Sequence, residues 1–413
     1  MADCHAEHAL RERRSGVVFD QTVCAVRVVN LGARHGRIEQ AHQLELPLRL
    51  ERVSVVLVER VTSSRLDGEA LGDCAQHCHL TRIPQRIEAN CMRAVILDRN
   101  GPIDSLRIGE MDAPSMSADE ILVRVHAAAV NPADLKVVSG KDGAAFIHAR
   151  KFPTAIGYDF SGVVEKVGAN VRGRTVGDEV FGFLPYSGTN KQGSFAELVS
   201  VKAHAVGVKP GGVSHEQAAA SATVGCTALQ GLRDKGGLRA GQRALINGAS
   251  GGVGSFAVQI ARQLGAEVWG TASAANADFV RELGAARVID YRKTPLRSLD
   301  AKLDVVLDAA VTSSFQEVRG LLNAGGAYVT LLPSTSLFVG MVSSLFSSKR
   351  CGLVMVKSRA ADLDQLGQWL AAGEVRASID ETFPLSEITT ALSVQESGSI
   401  RGKLAIRLGE PPP

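Results

Sequence analysis

From residue 92 onward, short apolar runs alternate with turn residues. Residues 93–97 (RAVIL) are strand-like, and residues 120–127 (EILVRVHA) alternate as a half-buried strand does. Turn clusters such as Asn100-Gly101-Pro102 and Gly211-Gly212 recur at short intervals up to about residue 210, which predicts a mostly β unit. After Ser214 the rhythm becomes strand, turn, helix. Strands are predicted over residues 243–246, 267–270, 287–289, 303–307, 327–331 and 353–356. Helices are predicted over 253–264, 276–283, 315–322 and 362–370. Six strands separated by helices or crossovers imply an α/β fold with a parallel, doubly wound sheet. Residues 379–408 return to short strands and one helix, so the tail is expected to rejoin the first unit.

Residues 1–91 have a different composition. They hold five of the seven cysteines and six of the ten histidines, with twelve arginines, no lysine and Phe19 as the one aromatic residue. A segment without aromatic anchors builds a poor core, so a loosely structured extension is expected, with one strand-like run at 53–58. Cys74, His77, Cys78 and His79 suggest a metal site. Their C-x3-C spacing has no matching second pair, and structural zinc sites want four ligands. No metal is expected.

The whole chain has 413 residues, 46 Lys+Arg against 43 Asp+Glu, and a formal charge of +3. That balance gives no reason to expect nucleic acid as a partner. No apolar run approaches the ~20 residues of a membrane-spanning helix, and the N-terminus lacks the apolar core of a secretory signal. Seven cysteines form no disulfide framework, so a cytoplasmic location is expected.

Residues 243–265 read RALINGASGGVGSFAVQIARQLG. A strand runs into Ala249-Ser250-Gly251-Gly252-Val253-Gly254 and directly on into an amphipathic helix. This is the G-x-G-x-x-G dinucleotide turn with Ala249 in place of the first glycine. Gly251 lets the backbone approach a pyrophosphate, and Gly254 lets helix and strand pack closely. The helix N-terminus offers unpaired N–H groups to phosphate. An acid at the end of the next strand would bind the ribose of NAD, but residues 271–276 read TASAAN, with no acid until Asp278. Ser273 and Asn276 can donate to a 2′-phosphate, and Tyr291 with Arg292 can close over it. NADPH is the expected cofactor. Alternatively, Ser273 only caps the following helix.

Several separated stretches resemble one family: Val125 to Lys136 (VHAAAVNPADLK), Gly157 to Val164 (GYDFSGVV), Gly193 to Glu197 (GSFAE), Leu283-Gly284-Ala285 through Asp290-Tyr291, and Arg401-Gly402-Lys403, together with the ASGGVG turn. With them, residues 92 to about 408 resemble the medium-chain dehydrogenase/reductase superfamily, in its zinc-free quinone oxidoreductase-like branch. The resemblance implies a GroES-like β domain over 92–214, a Rossmann NADP-binding domain over 215–357 and a return to the catalytic domain over 358–413. It also implies a cleft between the domains and homodimers, with residues 352–356 as a plausible dimer edge. Where the zinc alcohol dehydrogenases place a cysteine ligand, this chain has Asn131; where they have Gly-His-Glu, it has Gly157-Tyr158-Asp159.

Without zinc, little is available to polarise a simple ketone. Quinones and α,β-unsaturated carbonyls accept hydride with less help, because charge delocalises onto an oxygen that one hydrogen bond can stabilise. Candidates for that hydrogen bond are Asn131, Lys136 and Tyr158; the competing readings are a turn residue, a surface charge and a core residue. Thr227 matches the family position facing the nicotinamide, against a helix threonine bonding its own backbone. Leu331 and Leu332 are expected to flank the ring, and Asp308 serves structure as readily as cofactor. Cleft shape is expected to come from residues 183–192 and 334–350, the latter a lid or a lipid-facing surface. The expected function is zinc-independent hydride transfer from NADPH to a small-molecule quinone or enone. The alternatives are reduction of another activated carbonyl, or NADPH binding without turnover as a sensor or structural protein.

Overall fold

The computed structural model describes residues 91–408 in full and, before them, the backbone of three strands, Arg13–Phe19, Thr22–Asn30 and Ser54–Val61. The chain divides into two units, residues 1–87 and 88–413. In the first, the three strands form an antiparallel sheet in chain order, with Val17 opposite Cys24 and Val26 opposite Val58. The apolar run at 53–58 falls largely within its last strand. The Cys74–His79 cluster lies outside the described residues.

The second unit is built on three sheets. In the largest, Glu120–Ala129 is the centre: it pairs with Asp159–Val167, Leu198–Lys202 and, from the far end of the chain, Lys403–Arg407. Val206–Val208, Glu179–Phe183 and Ile379–Pro384 complete it. A small sheet of Arg107–Asp112, Cys91–Leu97 and Thr154–Ala155 lies beside it. The third is a six-stranded parallel sheet ordered Arg287–Asp290, Glu267–Ala272, Arg243–Asn247, Leu303–Asp308, Leu322–Thr330 and Arg350–Leu353. That order reverses at Arg243–Asn247, and ligands of doubly wound sheets bind at such a switch point.

The tail crosses between the sheets. Lys403–Arg407 lies antiparallel to Glu120–Ala129, with Ala405 opposite Ala129. Just before it, Gly402 forms a parallel bridge to Gly251 of the dinucleotide turn. Helix His215–Leu229 joins the halves from the other direction: Ala219 and Ala220 pack on Ala127 and Ala129 of the central strand, all fully buried. Four small side chains let helix and sheet approach closely.

Several element ends differ from the periodicity. The helix expected over 315–322 stops at Val318, and a strand begins at Leu322. The strand expected at 353–356 lies at Arg350–Leu353, in register with Ala327–Thr330. Apolar runs of four residues fit a buried helix or strand equally, and sheet pairing decided both. Among the described residues, no helix is long and apolar enough to cross a membrane.

Candidate active site

The dinucleotide turn takes its shape from the strands beside it. The N–H of Gly248 donates to Thr271 Oγ1 at 2.9 Å, and that of Ala249 to the Thr271 carbonyl at 2.9 Å. Thr271 Oγ1 donates in turn to Asn247 Oδ1 at 2.6 Å. Asn247 Nδ2 donates to Asp308 Oδ1, and Tyr328 Oη to Asp308 Oδ2. Asp308 is fully buried in this network, so it holds the floor of the site. Gly251 precedes helix Gly252–Gln263, and a Cβ on it would meet only the Gly248 carbonyl, at 3.7 Å. Nothing crowds that face of Gly251 more closely. At Gly254 a Cβ would lie 2.0 Å from the Gly248 carbonyl, so only glycine fits. Val253 is half-buried in that first turn, whose N–H groups have no intrahelical acceptor.

The ribose end is assembled from three segments. Asn276 Nδ2 donates to Ser250 Oγ at 3.3 Å, and Asn276 Oδ1 accepts from Arg401 Nε at 2.9 Å. Arg401 also donates to the Ala275 carbonyl, and the Gly402 N–H to the Ser250 carbonyl at 3.0 Å. Ser273 leads into the 3-10 turn Ala274–Asn276 without a side-chain cap, leaving its hydroxyl available. Tyr291 is about half exposed, with the Arg292 guanidinium 5.7 Å above its ring. The turn itself carries no cation; the tail brings one in Arg401. Composition along the turn gave no sign of it, although RGK belonged to the resemblance.

Between the sheets lies a buried polar cluster. Lys403 Nζ donates to the Val130 carbonyl at 2.5 Å and to Asn131 Oδ1 at 2.7 Å, and lies 3.4 Å from Asp159 Oδ2. Asn131 Nδ2 donates to Asp159 Oδ2 at 3.0 Å. Asp159 Oδ1 accepts from the Thr223 N–H at 2.9 Å and from the Thr223 hydroxyl. Burial lowers the Lys403 pKa from its ordinary value, opposed by the Asp159 and Asp134 carboxylates. Asp134 accepts the Asn131 N–H at 2.7 Å, closing the start of helix Pro132–Ser139, and burial pushes its carboxyl up to about 7.

The cluster brings together some expected residues and not others. Asn131 is buried with both amide atoms engaged. Tyr158 is fully buried and donates to the Ile147 carbonyl at 3.0 Å. Thr227 donates to the Thr223 carbonyl one turn back, at 2.7 Å. Lys136 is half-buried on the helix after Asn131, outside the network. Leu331 packs on the nucleotide-side core, and Leu332 is exposed. Sequence reasoning missed Tyr186, whose ring stacks on Tyr158 with centroids 4.1 Å apart and whose Oη lies 3.4 Å from Thr223 Oγ1. Tyr186 packs against the hydrophobic cores of both halves. Burial, with the nearby Asp159 carboxylate, pushes its phenol well above the ordinary 10.0, so the hydroxyl stays protonated.

Comparison with known proteins gives this geometry a family. The alcohol dehydrogenase GroES-like domain matches residues 117–211, and a domain described as zinc-binding dehydrogenase matches residues 283–406. The mitochondrial NAD(P)H oxidoreductase RTN4IP1 of Mus musculus is 33% identical over 357 residues, 77% of this chain and 89% of that protein. The 2-methylene-furan-3-one reductase of Solanum lycopersicum is 31% identical over 382 residues, 90% of each. The solved quinone oxidoreductase from Coxiella burnetii superposes with a TM-score of 0.71 at 30% identity, over 77% of this chain and all of that one. The dehydrogenase nucleotide-binding fold and the NAD(P)H oxidoreductases among its relatives support NADPH as the cofactor. The residues fit it: an uncrowded Gly251 at the helix start where a pyrophosphate would approach, no carboxylate in the Ser273–Asn276 turn, and Arg401 beside it. This chain belongs to the medium-chain dehydrogenase/reductase superfamily, in its zinc-free, quinone oxidoreductase-like branch.

Proposed function

We propose that this oxidoreductase reduces a quinone or an α,β-unsaturated carbonyl with NADPH and needs no zinc. The observation that carries this reading is the place of Lys403. Asn131 and Asp159 stand at or beside the positions that the resemblance associates with metal ligation. Their oxygens accept from the Lys403 ammonium, from Asn131 Nδ2 and from Thr223. A divalent ion there would face an ammonium and, in Asp159, a carboxylate that already accepts four hydrogen bonds. The residues do not fit zinc, and the mechanism has no step through one.

Bound NADPH supplies the hydride. The chain's part is to hold, orient and stabilise. Ser250, Gly251 and the helix N-terminus hold the phosphates, while Ser273, Asn276 and Arg401 hold the 2′-phosphate. Leu331 and Leu332 bound the nicotinamide end. The Tyr186 Oη, kept protonated at the seam between the halves, is the donor we assign to the oxygen on which negative charge develops. One preorganised hydrogen bond in a water-poor cleft is worth far more there than in water. Lys136, with its ammonium outside the network, is the second candidate donor; with an enone, hydride adds at the β-carbon and water protonates the α-carbon of the enolate, and with a quinone the protons go to the two oxygens. We further assign the homodimer contact to the open edge of Arg350–Leu353 and the enzyme to the cytoplasm. The 92–214, 215–357 and 358–413 division stands as our domain assignment.

An acceptor panel of benzoquinones, naphthoquinones and 2-alkenals, run with NADPH and with NADH, tests the reading. Steady NADPH oxidation by one of these classes is expected. Tight NADPH binding without turnover on any acceptor would favour the sensor or structural alternative.

A further inference from the structure

The phenol of Tyr186 meets the buried polar cluster at Thr223. This threonine lies in the middle of helix His215–Leu229 and is buried, with its Oγ1 3.4 Å from Tyr186 Oη. Distance alone leaves either oxygen as the donor; the neighbours decide. Asp159 Oδ2 accepts from Asn131 Nδ2 at 3.0 Å and from Lys403 Nζ at 3.4 Å. Its Oδ1 accepts from the N–H and from the hydroxyl of Thr223. Four donors on one carboxyl group leave no place for a proton of its own, so Asp159 is a carboxylate and can only accept. The single hydroxyl hydrogen of Thr223 is thus taken by Asp159, and the threonine oxygen is left to accept. Tyr186 is therefore the donor. Among the described residues, Tyr186 Oη has no second hydrogen-bond partner. The contact is longer than an ordinary O–H···O bond, so the phenol gives it up at little cost.

We infer that Thr223 is a positioning residue for the reduction, a hydrogen-bond switch between Asp159 and Tyr186. At rest its oxygen accepts the Tyr186 hydrogen. When that hydrogen passes to the acceptor, the Thr223 hydroxyl turns from Asp159 to the phenolate oxygen. The inference rests on Tyr186 as the donor in the reading above. Hydride addition places an electron pair on the acceptor oxygen, that oxygen takes the Tyr186 proton, and water from the cleft returns a proton to the phenolate. The turn of Thr223 trades one charge-assisted hydrogen bond for another. Asp159 keeps the Thr223 N–H, Asn131 Nδ2 and Lys403, so neither anion is left without donors. Lys403 and Asn131 fix the carboxylate from its far side, which ties the tail strand to the phenol through Asp159 and Thr223.

The test is steady-state reduction of the best acceptor of the panel by the full chain carrying Thr223→Val, Thr223→Ser, Tyr186→Phe or Thr223→Val with Tyr186→Phe. NADPH affinity is followed alongside by its fluorescence. Thr223→Val should lower kcat about tenfold or more, the worth of one hydrogen bond to a charged oxygen, with acceptor KM and NADPH affinity within about twofold of wild type. Thr223→Ser, which keeps the hydroxyl, should recover most of that loss. In the Tyr186→Phe background, Thr223→Val should cost nothing further, because the threonine acts through the phenol. Thr223→Ala carries the same test if Thr223→Val does not fold. An unchanged kcat, a loss that Thr223→Ser does not recover, or a loss that multiplies onto that of Tyr186→Phe overturns the switch. A slow Tyr186→Phe then leaves the reading of the donor standing. Wild-type kcat in Tyr186→Phe overturns both.

Discussion

The ammonium of Lys403 lies 3.4 Å from the carboxylate of Asp159, with both side chains almost wholly buried. The two residues are 244 positions apart, and the lysine follows directly on the glycine that bridges to the dinucleotide turn. Removing one member of a buried ion pair leaves the other uncompensated and costs about 3–5 kcal/mol. Lys403→Met should lose that much stability in urea unfolding. Lys403→Met combined with Asp159→Asn should recover most of it. Equal losses in the single and double variants would mean that the pair does not interact.

Arg401 reaches the Ser273–Asn276 turn through Asn276 Oδ1 and the Ala275 carbonyl. A charge-assisted hydrogen bond is worth about 1.5–3 kcal/mol. Arg401→Gln should therefore raise the KM for NADPH by about ten- to a hundredfold and leave the KM for NADH unchanged. An equal effect on both would assign Arg401 to holding the turn.

Tyr186→Phe removes a hydroxyl from the seam between the two cores. If that hydroxyl stabilises the developing oxyanion, kcat should fall by about a hundredfold or more, with the unfolding temperature nearly unchanged. A loss of stability without a loss of kcat would make Tyr186 a packing residue. Lys136→Met, measured beside it, identifies the donor if Tyr186 is not.

The reach of the sequence differs between the two ends of the site. The turn at 249–254 was legible because strand, glycines and helix are contiguous and each answers a local steric demand; Gly254 has no room for a Cβ. The roles of Arg401 and Lys403 were not, although both stood in a stretch of the resemblance, because they arrive through pairing of Lys403–Arg407 with Glu120–Ala129, a contact across most of the chain. Asn131 and Tyr158 were found as residues, but whether their polar atoms face a ligand depends on partners in other segments. Tyr186 lay in a stretch read only as a cleft loop, and its role depends on stacking against Tyr158. Strand and helix ends at 315–330 and 350–356 shifted because short apolar runs do not by themselves choose a conformation.

Burial lowers the imidazole of His148 from its ordinary 6.5 to about 4. Between pH 6.5 and 4 the unfolded chain binds a proton there that the folded chain does not, so stability falls as pH drops through that window. His215, also lowered to about 4 by burial, acts in the same direction. Asp134, raised from 3.8 to about 7, acts oppositely, because the folded state keeps a proton that the unfolded chain releases. The comparison with His148→Gln isolates the first contribution. Between pH 6.5 and 4 the variant should lose less stability than the wild type, by up to about 3 kcal/mol. Parallel stability curves would contradict this.

The central claim is two-electron reduction by NADPH without a metal. It is tested most directly by measuring zinc content and turnover on the same sample after chelation, using NADPH deuterated at the transferred position and the best acceptor of the panel. The account predicts substoichiometric zinc, undiminished NADPH oxidation and, where that acceptor is a 2-alkenal, one carbon-bound deuterium in the product. Turnover that vanishes with the metal and returns on adding stoichiometric zinc would contradict it.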